Sequence, residues 1–355
     1  MNPSSCRDGA FYTARTTTHT GPISTTSFLT SNNIILSHSH VPFIVVVGAT
    51  GIQGGSVVRA LLNVDGYTIR AITRNRQSEK AQALQAKGVE VVEADLNDVA
   101  ALKTAFAGSH AIYAVTNFFD AYPTVGAEKA MDIEARLGTN LAIAAAATSS
   151  LQHYIWSTLP NTRRVSGGKI VVPHYEAKNR VDDYIKSQTA LLQKTTFLWV
   201  PTYAQNIHYP FYTPFAIPTA DPETLYQIQA TPASVLWPMA GDSSVNVGLF
   251  VKAILDQPGK TLPGRFVRAV VETMTAGEVV QAWAAAQGKK GVVLQVSRET
   301  YHNMWPGWAE LMDLSHTYYE MAKDKSFSAG AEQVLTKEDL GVTGLVTTAA
   351  FFAKK

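Results

Sequence analysis

Cysteine is nearly missing from this chain: Cys6 is the only one in 355 residues. An intrachain disulfide and a thiol-held zinc ion are both excluded. Charge is scarce as well. Charged residues make up 16% of the sequence and the formal net charge is +2, which leaves no electrostatic case for a nucleic-acid or membrane-surface partner. Apolar runs are short, and the longest, such as 141–147, cannot span a bilayer. No internal repeat is present, and His19, His38 and His40 lack metal-ligand spacing, so no metal is expected. These absences narrow the expectation to a cytoplasmic protein that works on a small molecule.

Residues 1–40 are rich in Ser, Thr and Asn and carry no helical or strand period, so they read as a flexible or irregular extension. From Val41 the texture changes. Strands are expected near 43–48, 67–73, 89–93, 110–115, 153–157 and 196–200, and helices near 53–63, 78–87, 98–106, 125–148 and 174–188. Such alternation builds right-handed crossovers and a doubly wound parallel sheet, an α/β fold of Rossmann type, expected over 41–205. Beyond it Pro210, Pro214, Pro218, Pro222, Pro232 and Pro238 fall among many aromatics. Residues 206–355 therefore read as a smaller, loop-rich substrate lobe, with some segments returning to the Rossmann core. Residues 245–255 and 276–286 read as helices within it.

The stretch FIVVVGATGIQGGSVVRALL, residues 43–62, is the most informative. A β-branched run breaks at Gly48 into a glycine-rich turn and then becomes helical, presenting unpaired N–H groups and a positive dipole end to a pyrophosphate. Gly48 permits the turn, Gly51 lets phosphates approach the backbone, and Gly54 or Gly55 lets the helix pack close to the strand. NAD-binding units often place a carboxylate after the second strand, but here Arg74 and Arg76 follow it. An arginine there can grip a 2′-phosphate, so NADP(H) is preferred over NAD. Asp95 and Leu96 end the third strand beside the expected adenine, with Asn97 or Asp98 available as a helix cap. Thr116, Asn117 and Phe118 end the fourth, toward the nicotinamide.

Three segments together resemble the NmrA-like family, an atypical branch of the short-chain dehydrogenase/reductases: GATGIQGG, AITRN, and VPHYEAKNRVDDYI with PTYAQN downstream. The resemblance runs from about Val41 to the C-terminal TTAAFFAKK. It implies a Rossmann domain with a smaller lobe and a preference for NADP(H). It also implies cofactor roles for Gly48, Ala49, Thr50, Gly51, Ile52, Gln53, Arg74, Asn75, Asp95, Leu96, Thr116, Asn117, Phe118, Lys178, Tyr203 and Asn206. The wider superfamily carries Tyr-x-x-x-Lys, whereas this chain has His174 where the tyrosine would stand and Lys178 one turn later. Tyr175 projects about 100° away from them. Either His174 serves as the acid/base, or Lys178 acts alone, as in isoflavone-reductase-like enzymes. Ser157 or Thr158, ending the fifth strand, would polarise a substrate carbonyl.

Tyr203, His208, Tyr209, Phe211, Tyr212 and Phe215 follow the sixth strand and are expected to line the cleft over the nicotinamide, with Trp305, Trp308, Tyr318 and Tyr319 as a second aromatic group. Among these, Tyr203, His208, Tyr209 and Tyr212 are the expected substrate contacts. The combined expectation is an NADP(H)-dependent oxidoreductase. It would transfer a hydride to or from a carbonyl, enone or imine of a bulky hydrophobic molecule, which by resemblance belongs to secondary metabolism. The alternatives are an NADP(H)-sensing regulator without turnover and a non-redox cyclase or isomerase on the same scaffold. A homodimer or a regulatory protein partner is compatible with these readings.

Overall fold

The computed structural model describes residues 43–354 apart from 63, 65, 219 and 329–332, so the extension expected over 1–40 lies outside the described residues. β1 (Phe43–Val47) is an unbroken apolar run because both of its faces are covered. Ile44 and Val46 join one core, while Val45 and Val47 join the other. Helix α1 (Ile52–Leu62) follows the glycine turn, and then β2 (Thr68–Thr73), α2 (Glu79–Gln85), β3 (Glu90–Glu93), α3 (Val99–Phe106) and β4 (Ala111–Ala114). The series continues through α4 (Tyr122–Ala146), β5 (His153–Thr158), α5 (Thr162–Val165), α6 (Pro173–Ser187), α7 (Thr189–Leu192) and β6 (Thr195–Trp199). These six strands are the six expected ones. The helix expected from 125 begins at Tyr122 and turns sharply at Gly126, whose φ of 79° no helix interior uses.

The segment after 205 is more regular than its prolines suggest. It holds β7 (Thr224–Gln229), β8 (Leu236–Met239), α8 (Ser243–Asp256), α9 (Pro258–Thr261), β9 (Arg265–Arg268), β10 (Glu272–Thr275) and α10 (Ala276–Ala285). Then come β11 (Lys290–Gln295), α11 (Arg298–Met304), α12 (Ala309–Ala322), β12 (Val334–Leu335) and α13 (Thr348–Phe352). Pro238 sits inside β8, where it is tolerated because β8 and β10 form a ribbon of only two strands. β7 and β11 form a second such pair.

All eight strands of the main sheet run parallel, in the order β12-β9-β6-β5-β4-β1-β2-β3. The chain leaves β1 toward β2 and β3 and returns to β4 on its other side. The carboxyl ends of β1 and β4 therefore flank the switch point where open α/β sheets form their crevice. α1 and α8 cover one face, and α3, α4 and α6 cover the other. α8 lies hard against α1: a Cβ at Gly248 would stand 2.2 Å from the Ser56 carbonyl oxygen. Ser56 Oγ donates to the Val245 carbonyl at 2.9 Å and accepts from Gly248 N at 2.8 Å. No helix among the described residues is long and apolar enough to cross a membrane.

Candidate functional site

A continuous cleft of about 690 Å³ follows the carboxyl edge of the sheet over the switch point. Its floor is the glycine turn. Gly48 has φ +66°, and Gly51 N donates to the Gly48 carbonyl at 2.9 Å. A Cβ at Gly54 would come within 2.3 Å of that same carbonyl oxygen. Of the two glycines open for the close-packing role, Gly54 is thus the sterically obligatory one; at Gly55 the nearest atom is 3.2 Å away. The first turn of α1 carries no acidic residue, so its N–H groups offer an unopposed positive end. Gly48, Thr50, Gly51, Ile52 and Gln53 all line the cleft. Ala49 does not: it is buried, with its N–H donating to Ile72.

Gln53 does more than complete the turn. Its Oε1 accepts from Tyr113 Oη at 2.5 Å and from Ser157 Oγ at 2.8 Å, and its Nε2 donates to Tyr203 Oη. One amide thus joins the turn to β4, β5 and the segment after β6. Burial pushes the Tyr113 hydroxyl well above its ordinary range and Tyr203 up to about 12, so both are neutral braces. With Ser157 engaged here, Thr158 sits on the opposite face of β5 beside the buried Asp182. Both residues line the cleft.

Lys178 is buried, and its ammonium is held on one side by Glu134 Oε1 at 3.0 Å. It donates to the Thr116 carbonyl at 3.1 Å and Thr116 Oγ1 at 3.2 Å, and it lies over the Trp156 ring at 5.2 Å. Thr116 Oγ1 donates in turn to Glu134 Oε1 at 2.8 Å, leaving Glu134 Oε2 without a hydrogen-bond partner among the described residues. Glu134 was not legible as a site residue. It is one acid among several in α4, and only the packing of α4 on α6 brings it to Lys178.

His174 lines the cleft beside Lys178, with its ring 5.9 Å from Phe118, 5.3 Å from Phe119 and 4.8 Å from Tyr175. Burial, assisted by the Lys178 charge, lowers its pKa to about 3. The imidazole is therefore neutral across the physiological range, with one nitrogen able to accept a proton and the other an N–H donor. Tyr175, although rotated away from His174 on the helix, also reaches the cleft. Its hydroxyl pairs with that of Tyr319 at 2.8 Å, and Tyr319 Oη lies 3.3 Å from Thr202 Oγ1. Burial raises both tyrosines above their ordinary value.

The far wall is aromatic. Trp308 stacks on Phe119 at 6.1 Å and Phe211 at 5.5 Å, and Phe211 stacks on Tyr209 at 5.5 Å. Tyr212 lines the same chamber and holds His316 Nε2 at 3.0 Å from its hydroxyl. Tyr203, Tyr209 and Tyr212 reach the cleft, together with Asn206. His208 is drawn away instead, its ring packing edge-on against Trp283 at 5.5 Å and Phe351 at 6.5 Å.

Arg74, Asp95 and Leu96 line the opposite end of the cleft, while Thr116, Asn117 and Phe118 line it nearer the middle, Thr116 at Lys178 and Phe118 at His174. Arg74 is already engaged, Nη1 to Asp120 Oδ2 at 2.6 Å. Asp95 Oδ1 accepts from Asn97 N and Nδ2, both at 2.9 Å, which lowers its pKa, and Asp98 caps α3. Asn75 lies outside the lining, its Oδ1 accepting from Gln77 N at 2.8 Å in the turn toward α2. A glycine cradle, a helix N-terminus and a buried ammonium set along one groove fit a dinucleotide by size and by charge.

The NmrA-like family model matches residues 42–341. An NmrA-like family domain-containing oxidoreductase of Aspergillus japonicus, himF, is 40% identical over 138 residues, 39% of this chain and 40% of that protein. The alignment with that curated relative thus spans about two fifths of its length. Among solved structures, the negative transcriptional regulator NmrA in complex with NADP superposes with TM-score 0.68 at 23% identity, covering 88% of this chain and 94% of the other. The NADPH-dependent quinone oxidoreductase QOR2 of Escherichia coli, complexed with NADPH, superposes with TM-score 0.63 at 17% identity, covering 87% and 98%. These likenesses fit the parallel sheet and its glycine turn, and the breadth of the family match settles the assignment: the chain belongs to the NmrA-like family.

Proposed function

We propose that this protein is an NADP(H)-dependent oxidoreductase acting on a carbonyl, enone or imine of a bulky hydrophobic small molecule, in secondary metabolism. The observation that carries the reading is the continuity of one cleft from a phosphate cradle, past a buried lysine, into an aromatic chamber. The dinucleotide would lie with its pyrophosphate on the turn of Gly48, Thr50, Gly51 and Ile52, its adenosine end at Arg74, Asp95 and Leu96, and its nicotinamide end toward Lys178 and Tyr203. Bound there, a nicotinamide supplies or accepts a hydride. The residues of this chain bind, orient and polarise.

The Lys178 ammonium, whose three N–H groups meet Glu134 Oε1, the Thr116 carbonyl and Thr116 Oγ1, would turn one of them to a ribose hydroxyl. Tyr203, braced by Gln53, supports the ring end of the cleft. Phe119, Phe211 and Trp308 exclude water and offer flat faces to an aromatic or conjugated substrate. The Tyr175–Tyr319 hydroxyl pair, neutral because it is buried, donates a hydrogen bond to the substrate oxygen or nitrogen in place of His174. The neutral His174 also favours a second reading, a nucleotide sensor that binds a regulatory protein partner without turnover.

Fluorescence titration of NADPH, followed by NADPH oxidation assays with planar quinones, enones and cyclic imines, tests both readings. Binding with turnover of at least one aromatic class is the expected result, and Arg74→Ala weakens NADPH about tenfold, the loss of a charge-assisted hydrogen bond, without weakening NADH. Tight binding with no turnover across the panel supports the sensor. Absence of NADPH binding overturns both.

A further inference from the structure

Arg74 and Asp120 come from loops on opposite sides of the glycine turn. Arg74 follows β2 and Asp120 lies in the short 3-10 turn after β4, and these strands flank β1 in the sheet. Their 2.6 Å contact therefore spans the carboxyl end of β1, over the cradle, and both residues line the cleft. The second oxygen of Asp120 is fixed by Asn117 Nδ2 at 2.6 Å, so the carboxylate is aimed at Arg74 rather than free to swing away.

Resting on the dinucleotide reading above, we propose that Asp120 is a specificity-determining residue that competes with a ribose 2′-phosphate for Arg74. Asp120 meets the guanidinium through Nη1 with a single oxygen, and a phosphate would seek the same guanidinium. A 2′-phosphate carries close to two negative charges, so on reaching Arg74 it would lie beside the Asp120 carboxylate, two anions at one cation. NAD(H), with a 2′-hydroxyl, makes no such demand and leaves the pair intact. Asp120 therefore lowers the affinity for the phosphorylated dinucleotide alone and sets how far the protein discriminates between the two. Both side chains are substantially exposed, 75% and 44%, so the effect is moderate and salt-dependent.

The test is direct titration of NADP⁺ and NAD⁺ against the wild-type chain, Asp120→Asn, Arg74→Ala and the double variant, at low and high salt. Asp120→Asn is expected to tighten NADP⁺ about fivefold, the range of an exposed ion pair, while NAD⁺ moves by less than about twofold. The gain shrinks at high salt and is absent when Arg74 is also replaced. Unchanged NADP⁺ affinity in Asp120→Asn, or equal shifts for both dinucleotides, overturns the inference while leaving the cofactor reading standing. A wild-type chain that binds neither dinucleotide overturns the cofactor reading, and this inference with it.

Discussion

Lys178 and Glu134 show how one residue's role depends on a partner 44 positions away. The ammonium is nearly buried, and Glu134 is more so, at 1% exposure. Replacing Glu134 by Gln keeps an acceptor for Thr116 but strips the counter-charge from a desolvated cation. We expect Glu134→Gln to lower unfolding stability by about 2–3 kcal/mol, read from urea denaturation. An unchanged midpoint would show that water screens the pair. Tyr319 belongs to the same scale. If its hydroxyl, paired with Tyr175, holds the substrate oxygen, Tyr319→Phe lowers kcat by tenfold or more, as loss of a preorganised donor does, and leaves the Kd for NADPH unchanged. Equal losses in both would mean that the hydroxyl holds the cleft together through Tyr175 and Thr202 rather than acting on the substrate.

Among the elements, the contact between α1 and α8 is the most constrained by sterics. Gly248 faces backbone, not a flexible side-chain end: the Ser56 oxygen lies 2.2 Å and the Ser56 carbonyl carbon 2.7 Å from where a Cβ would be. Gly248→Ala forces the helices apart and is expected to cost about 1–3 kcal/mol, seen as a lowered Tm, with secondary structure retained by circular dichroism. A variant of wild-type stability would mean that α8 is free to shift. The same elements show what could be read in advance. Of the six strands of the first half, β1 and β4 announced themselves because a strand buried on both faces is a continuous apolar run bounded by turns. β7, β8, β10 and β11 did not: polar residues break the apolar run of β7, Pro238 interrupts β8, and β10 and β11 are partly exposed. Their pairing is decided by neighbours far along the chain.

For the whole molecule, four buried groups set the response to pH. Burial lowers His153 to about 4, His174 to about 3 and His316 to about 4, from an ordinary 6.5. Below pH 6.5 the unfolded chain takes up protons that the folded chain refuses, so stability falls as the pH drops from 6.5 toward 4. Asp182 works the other way. Burial raises it from 3.8 to about 7, against the opposing pulls of Thr158, Lys186 and Trp156. Between those values the folded carboxyl keeps a proton that the unfolded one has lost, so its contribution declines as the pH rises. Three histidines outweigh one carboxyl. Urea midpoints should therefore rise from pH 4.5 to 6.5, and Asp182→Asn should make that rise steeper. A flat profile in the wild-type chain, or a shallower one in the variant, would contradict the assigned buried states.

The phosphate cradle was determined by sequence alone, because a strand end, a positive-φ glycine and a helix start are set by consecutive residues and their own backbone preferences. Most of the residues expected along the groove line it for the same reason: the ends of parallel strands all fall on one edge. The exceptions, Ala49, Asn75, His208, Phe215, Trp305 and Tyr318, turn on where a side chain points, and that is settled by local packing. Only the tertiary structure could set Glu134 beside Lys178, Asp120 against Arg74, Tyr319 against Tyr175, and Gln53 between Tyr113, Ser157 and Tyr203. Each of these pairings joins separate strands, helices or loops, and no local preference encodes how such segments come to lie across one another.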